Sequence, residues 1–509
     1  DDLDCLPDDA SFLAQAYNAG ARVQNASFGG PTGQNGDEAF GRYTTRAQTM
    51  DTFLWQHKDH LLVAAVGNSG SDANNDGVID NDSVEQPATA KNVLSVGASE
   101  SNRPPTDATC ATNAPQDVCW QSLHFTRAPL ANDFVSNNPN GMAAFSGRGP
   151  ADDGRIKPEI VAPGTNIISS RSHDASASYT TPYSQDYAYE SGTSMATPLV
   201  SGVAALTRQW LAQHHGVDQP SAALIKALLL NGATNISPGQ YGEGIQREIP
   251  AAWPNNVEGW GRANIAATVG QGDPQRVWFD DNPSGLQTGQ TVSYTLQVSA
   301  GQPLRVTLAW TDYPASPIAL KALVNDLDLE VQTPAGLIMG NASAALPGTC
   351  RSAEGADRCN TSESIAITAP QTGTYVIRVR AAVVAQGGAQ PFALVAGAAH
   401  IAAVPALPAP TLRNISVDGS PTVTLAWSTS PGATRYEVNQ QAASPADANA
   451  HTASYSIAAT SFSVVEDVGT YTFRVRGCNE RGCGPYSEPV SVQVTTPPQK
   501  TWLPFAARW

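Results

Sequence analysis

Residues 191–198 read SGTSMATP, and an apolar run at helical spacing, 199–211, follows without a break. Small side chains crowd this turn, and the run after it places Ser194 at the start of a helix. A helix N-terminus presents backbone N–H groups without intrahelical partners, together with a partial positive charge. An oxyanion forming beside the serine is favoured there, so the stretch suits acyl transfer by a hydroxyl nucleophile. A second stretch, AAVGNSG (64–70), ends an apolar strand in a glycine-rich turn. A side-chain amide in that turn can donate to a tetrahedral intermediate.

Around these two stretches the chain alternates. Short apolar runs at 22–27, 61–66 and 92–97 lie between helical patterns such as 10–18 and 44–56. Strands alternating with helices predict a parallel sheet in an α/β domain, residues 1–271. From about residue 276 the period becomes two. Val292, Tyr294, Leu296 and Val298 alternate with polar residues, as do Leu304, Val306, Leu308 and Trp310, then Leu327, Leu329 and Val331, then Tyr375, Ile377 and Val379. Many short segments of this kind predict an antiparallel β-sandwich over 276–398. Residues 399–409 are rich in Ala and Pro, the composition of a semi-stiff linker. Beyond it Val423, Leu425 and Trp427, then Tyr436 and Val438, then Tyr471, Phe473 and Val475 alternate again. That spacing resembles a fibronectin type III module, 410–496, whose plainest role is a spacer or adhesion unit. The tail, 497–509, is too short to fold alone and reads equally as a docking tail or a surface-attachment signal.

Composition narrows the function. The 509 residues suffice for about three domains. Charged residues are 15% of the chain, below the roughly 25% of an average soluble protein. A net charge of −16 argues against nucleic acid, whose phosphates need a basic surface, and against an anionic membrane. No run reaches the ~18 apolar residues of a membrane span. The chain opens on Asp1 with no signal peptide, which reads as a mature or truncated start. Of seven cysteines, Cys110 and Cys119 lie nine apart, Cys350 and Cys359 nine apart, and Cys478 and Cys483 five apart. None forms a CxxC, so three local disulfides in an exported protein read better than zinc, with buried thiols as the other reading. Cys5 is left without a partner.

The motif around Ser194 resembles the nucleophile motif of the subtilases, and AAVGNSG resembles their oxyanion segment, with Asn68 as side-chain donor. QNASFGGP (24–31), AKNVLSVGAS (90–99), FSGRGP (145–150), GRIKPEIVAPG (154–164) and GWGRANI (259–265) are similar to family segments in the family's order. The likeness is to bacterial alkaline subtilases with a C-terminal jelly-roll domain, and it continues through LVNDLDLEV (323–331), over roughly 390 residues. It implies an α/β subtilisin-like domain, then a jelly-roll sandwich, and a secreted or cell-surface serine endopeptidase. It also implies that Ser27, Phe28 and Gly29 pair with the substrate backbone on one side of the first specificity pocket, and Ala65, Val66 and Gly67 on the other. Main-chain pairing makes little demand on sequence, which predicts broad specificity. The residue after Asn68 is the small neutral Ser69, which predicts no strong demand for a basic side chain.

A subtilase also needs Asp and His upstream of the oxyanion segment, in the chain order Asp, His, Ser. None of His57, His60, His124, His173, His214, His215, His400 and His451 lies in such a motif. His57 and His60, in WQHKDH, read as solvated surface. Asp4, Asp8 and Asp9 lack the apolar strand the catalytic Asp should terminate. Because residues 11–30 match the helix and strand that follow the family's His, the expectation is a chain truncated just after the missing part and inactive alone. A pseudoenzyme, a binding protein on a subtilase scaffold, is the alternative, and an esterase using the same serine a third reading.

Two acidic clusters remain. Asp72, Asn74, Asp76 and Asp80 occupy positions 1, 3, 5 and 9 of a calcium-loop pattern, with Gly77 at position 6 and the Val78 carbonyl at 7. Position 12 is Ser83 where a bidentate Glu is usual; Asp82 and Glu85 lie close enough to substitute, and a solvated turn is the other reading. Asp312, Asp326, Asp328, Asp357, Asn360 and Glu363 form a second set, and related barrels hold calcium between such loops. Structural Ca2+, no organic cofactor, protein or peptide substrates, and a monomer complete the expectations.

Overall fold

The apolar runs of the first part pair side by side. In the computed structural model, β1 (Val23–Ala26), β2 (Leu61–Ala65), β3 (Leu94–Ser99) and β4 (Ile160–Pro163) form a parallel sheet in the order β1-β2-β3-β4. β2 and β3 are buried along their whole length, which is why they read as unbroken apolar runs. The structure describes residues 9–33, 39–107, 109–110, 114–174, 181–273, 276–300, 303–368, 370–397, 401–403, 409–417, 421–442, 452–479, 482–483 and 486–495. Asp4, Cys5, Asp8, His400, His451, the tail and most of the linker lie outside them.

Helix α1 (Asp9–Asn18) precedes β1, and α2 (Thr45–Gln56) precedes β2. The Thr44 hydroxyl accepts the Ala47 N–H at 3.3 Å, which fixes where α2 begins. A three-stranded antiparallel sheet of β5 (Ile167–Ser170), β6 (Thr181–Pro182) and β7 (Tyr187–Glu190) leads into α3 (Thr193–His215). α3 buries Ala196, Val200, Ala204 and Leu211, which share one core with Val63, Val96 and Ile160 of the sheet. It ends at Gly216, whose left-handed φ of 65° suits a glycine C-cap. α4 (Ala222–Gly232) starts where the Ser221 hydroxyl accepts the Leu224 N–H, and is buried along nearly all its length.

The later strands are antiparallel. One sheet runs Ser362–Ile367, Leu304–Ala309, Gln390–Gly397, Val277–Leu286. Another pairs Gly336–Met339 with Asn325–Thr333, and that strand with Gly373–Val384. The first of these β layers is not packed separately from the α/β part. Val277, Ala309, Ala393 and Val395 join the core of the parallel sheet, and Lys91 pairs with Asp312 at 2.6 Å with both side chains fully buried. The chain accordingly divides into two compact units, Asp1–Thr291 with Val298–Ile401, and Val292–Gln297 with Ala402–Trp509. In the second unit Val423, Leu425, Trp427, Tyr436, Val438, Phe473 and Val475, the residues of the alternating pattern, form the core.

Disulfides join Cys110 to Cys119 and Cys350 to Cys359. Cys478 is also disulfide-bonded, and its backbone pairs with that of Cys483.

Candidate active site

Parallel strands deliver their C-terminal ends to one edge of the sheet, and the residues singled out above lie there. Ser27 follows β1 directly, and Asn68 lies three residues beyond β2. The N-terminus of α3 meets both. The Ser27 hydroxyl donates to the Ser194 carbonyl at 2.8 Å, and the Ser194 hydroxyl donates to the Ser27 carbonyl at 3.0 Å. Ser194 and Ser27, 167 residues apart, thus sit face to face.

Asn68 is oriented by the helix it faces. Its Oδ1 accepts the backbone N–H of Thr193 at 2.8 Å and the Thr193 hydroxyl at 3.1 Å. With the oxygen held, Nδ2 is the atom left to donate, and the residue is exposed beside the start of α3. Gly192, the N-cap of α3, has φ 155°, and a Cβ there would lie 3.6 Å from Asn68 Nδ2. The Asn68 amide thus meets the N-terminus of α3, where Ser194 lies, and a side-chain amide with a helix N-terminus is a donor set that suits an oxyanion.

The two segments expected to flank the substrate, 27–29 and 65–67, are joined at one end by residues 84–86. The Glu85 N–H donates to the Val66 carbonyl at 2.9 Å, and Gln86 forms an antiparallel bridge with Gly30. Phe28 packs edge-on against Phe12, with ring centroids 5.3 Å apart. Glu85, offered by the sequence only as a stand-in at the end of the 72–80 calcium pattern, makes its contacts across a loop instead. Its Oε1 accepts the Ser69 hydroxyl at 2.6 Å and the Asn68 N–H at 3.2 Å, residues 16 and 17 positions away.

No histidine or carboxylate hydrogen-bonds the Ser194 hydroxyl among the described residues. His214 and His215 end α3, roughly 30 Å along the helix from Ser194 at 1.5 Å per residue. His173 pairs with Asp186 at 3.0 Å on the exposed β5–β7 connection. His57 stacks on Tyr17. His60 is not the solvated residue its polar neighbours suggest. It is 1% exposed, between the Ala21 carbonyl and Gln24 Oε1, and burial pushes its pKa down to about 4. Asp9 is held by Arg46 through both carboxylate oxygens.

In the 72–80 loop the oxygens fold inward onto the backbone. Asp72 accepts the N–H groups of Asp76 and Gly77, Asn74 that of Asp76, Asp76 that of Val78, and Asp80 that of Ala73. All donors are hard oxygens, and none of the three carboxylates forms an ion pair among the described residues. In the second set, positive side chains already meet the acids. Lys91 holds Asp312, Arg358 holds Asp326 and Asp328, and Arg380 also holds Asp328. Asp357 accepts Asn341 and Asn360 side-chain amides, and Asn360 Oδ1 accepts the Ile156 N–H. Burial raises the Glu363 pKa well above the usual carboxylate range. Among the described residues no three of His, Cys, Asp and Glu are gathered so as to hold a metal ion.

Residues 7–261 match the family described as Subtilase family, and residues 290–381 match the bacterial pre-peptidase C-terminal domain. The chain is similar to the serine protease/ABC transporter B family protein tagD of Dictyostelium discoideum, 30% identical over 64% of this chain and 22% of that protein. It is also similar to serine protease AprX of Bacillus subtilis (30% identity, 36% of this chain, 33% of that protein) and to minor extracellular protease Vpr of the same organism (35%, 25% and 14%). The chain spans about a fifth of the length of the Dictyostelium relatives it matches.

Proposed function

The chain belongs to the subtilase family, and on that premise we propose that it carries the nucleophile half of an exported serine endopeptidase. Ser194 attacks the peptide carbonyl, and Asn68 Nδ2 with the α3 N-terminus binds the oxyanion. The observation that carries this is the Thr193–Asn68 contact, which ties the amide oxygen to the residue before Ser194 and leaves the nitrogen to donate. Residues 27–29 and 65–67 bind the substrate backbone, so preference falls to the pocket between them.

The general base and its orienting carboxylate come from a segment outside this sequence. Two surfaces support that reading. β1 is an edge strand, paired only with β2 among the described residues. Beside it α3 exposes Leu199 (42%) and Leu206 (52%) along one face, next to the Ser201–Asn25 contact between helix and strand. An unpaired parallel edge flanked by exposed leucines is what a further strand and helix would cover.

Within this reading the layers at 276–398 form a jelly-roll and 410–496 a fibronectin type III-like spacer. The disulfides favour an oxidising, extracellular setting. Calcium is proposed for the 72–80 loop on its all-oxygen donor set. Among the described residues no helix is long and apolar enough to cross a membrane.

A fluorophosphonate should label Ser194 in the upstream-extended protein, and Ser194→Ala should abolish both labelling and casein hydrolysis. An adduct elsewhere, with Ser194 unmodified, would overturn the assignment. The non-catalytic reading has one observation in its favour, that among the described residues no histidine hydrogen-bonds Ser194. It would be upheld by an extended protein that folds and binds peptides but is neither labelled nor hydrolytic.

A further inference from the structure

One carboxylate at the site has no part in the chemistry above. Glu85 lies between the two segments that flank the substrate. On one side a Cβ at Gly67 would fall 2.2 Å from its carboxyl carbon, and on the other a Cβ at Gly29 would fall 3.4 Å from Oε2. The carboxylate thus occupies space that glycine leaves at both walls, at the end where residues 84–86 join them. Gly67 has φ 98°, so no other residue fits there without strain as well as collision.

The two oxygens differ. Oε1 is tethered by the Ser69 hydroxyl at 2.6 Å and the Asn68 N–H at 3.2 Å. Oε2 accepts no hydrogen bond among the described residues, and it is the oxygen that faces Gly29. Nor does Glu85 form an ion pair among them, although it is half-buried. A partly desolvated carboxylate with one oxygen fixed and the other open calls for a cationic hydrogen-bond donor.

We propose that Glu85 is the floor of the first specificity pocket and selects a lysine or arginine side chain on the acyl side of the scissile bond. The proposal rests on the endopeptidase reading of the site. It reverses the expectation drawn from Ser69. That residue is neutral, but its hydroxyl holds the acid in place.

The test uses the upstream-extended protein and peptides that differ only at the residue before the scissile bond, arginine or the uncharged norleucine. Turnover should favour arginine by about 10-fold or more, the range of a charge-assisted hydrogen bond. Glu85→Gln, which keeps the shape, should bring the kcat/KM ratio to within about 2-fold. Equal rates in the parent, or an arginine preference that survives in Glu85→Gln, would overturn the proposal. If Glu85→Gln does not fold, salt decides. The parent's preference should shrink between about 0.02 and 0.5 M NaCl, because screening weakens an accessible ion pair, and a salt-independent ratio overturns the floor. The same peptides bound to Ser194→Ala separate the two readings. An arginine preference in Kd without turnover in the parent supports the floor and refutes the peptidase. Labelling and turnover without arginine preference do the reverse.

Discussion

Asn68 is held by its oxygen, and in the proposed function it acts through its nitrogen. The Thr193 contacts make that division, and they exist only because β2 and α3 meet. Asn68→Ala should therefore lower kcat by about 100- to 1000-fold, the magnitude known for this donor in a subtilisin, with little change in KM. A KM effect as large as the kcat effect would show that the amide binds ground state and transition state alike. His60 shows a residue whose role the sequence misrepresents. Its polar neighbours point to solvent, but the ring is enclosed between Gln24 and the Ala21 carbonyl. The folded state keeps it neutral down to about pH 4, while the unfolded chain takes a proton near 6.5. Its stabilisation is thus present above 6.5 and lost as pH falls from 6.5 towards 4. His60→Asn should lose less stability than the parent between pH 7 and pH 4.5 in urea unfolding. Equal losses would mean that the ring is protonated inside the fold.

Elements were legible where one local rule governs them. The helical pattern at 44–56 starts at Thr44, the cap of α2, and the apolar runs at 61–66 and 92–97 mark strands buried along their length. The 72–80 loop is legible as a pattern, and its oxygens accept backbone N–H groups within the loop. If calcium binds there, it adds mass-action stability to the folded state, about 2.7 kcal/mol at 100 times Kd. Calcium should then raise the Tm of metal-stripped protein, and Asp76→Ala should remove most of that rise. An unchanged Tm on calcium addition would reduce the loop to a turn. α3 carries the opposite lesson. Its run at helical spacing does not say which face is covered: Ala196, Val200 and Ala204 are buried, while Leu199 and Leu206 are exposed.

At the scale of the molecule, α4 and the first antiparallel sheet make the α/β layer and the sandwich one unit. Asn231 donates to the Arg305 carbonyl, Ser221 donates to Asp281, and Lys91 reaches Asp312. Removing one partner of a buried ion pair leaves the other uncompensated, typically at about 3–5 kcal/mol. Asp312→Asn should cost that much, and Asp1–Thr291 and Val298–Ile401 should still unfold in a single calorimetric transition. Two separate transitions for these parts would show that the shared core does not couple them.

The sequence by itself determined the family, the order of the α/β and β parts, and the local cysteine pairs at 110–119 and 350–359, and it supplied the proposed nucleophile and oxyanion donor. Each of these is written in contiguous residues, because a strand end, a helix start and a nine-residue loop are set by their own neighbours. Tertiary structure alone decided the rest: that Ser27 faces Ser194, that His60 is buried, that arginines and a lysine meet the second acidic set, and that Glu85 lies between two glycines. These are meetings of residues remote in the chain. They depend on how the sheet stacks its strand ends, which no local spacing encodes.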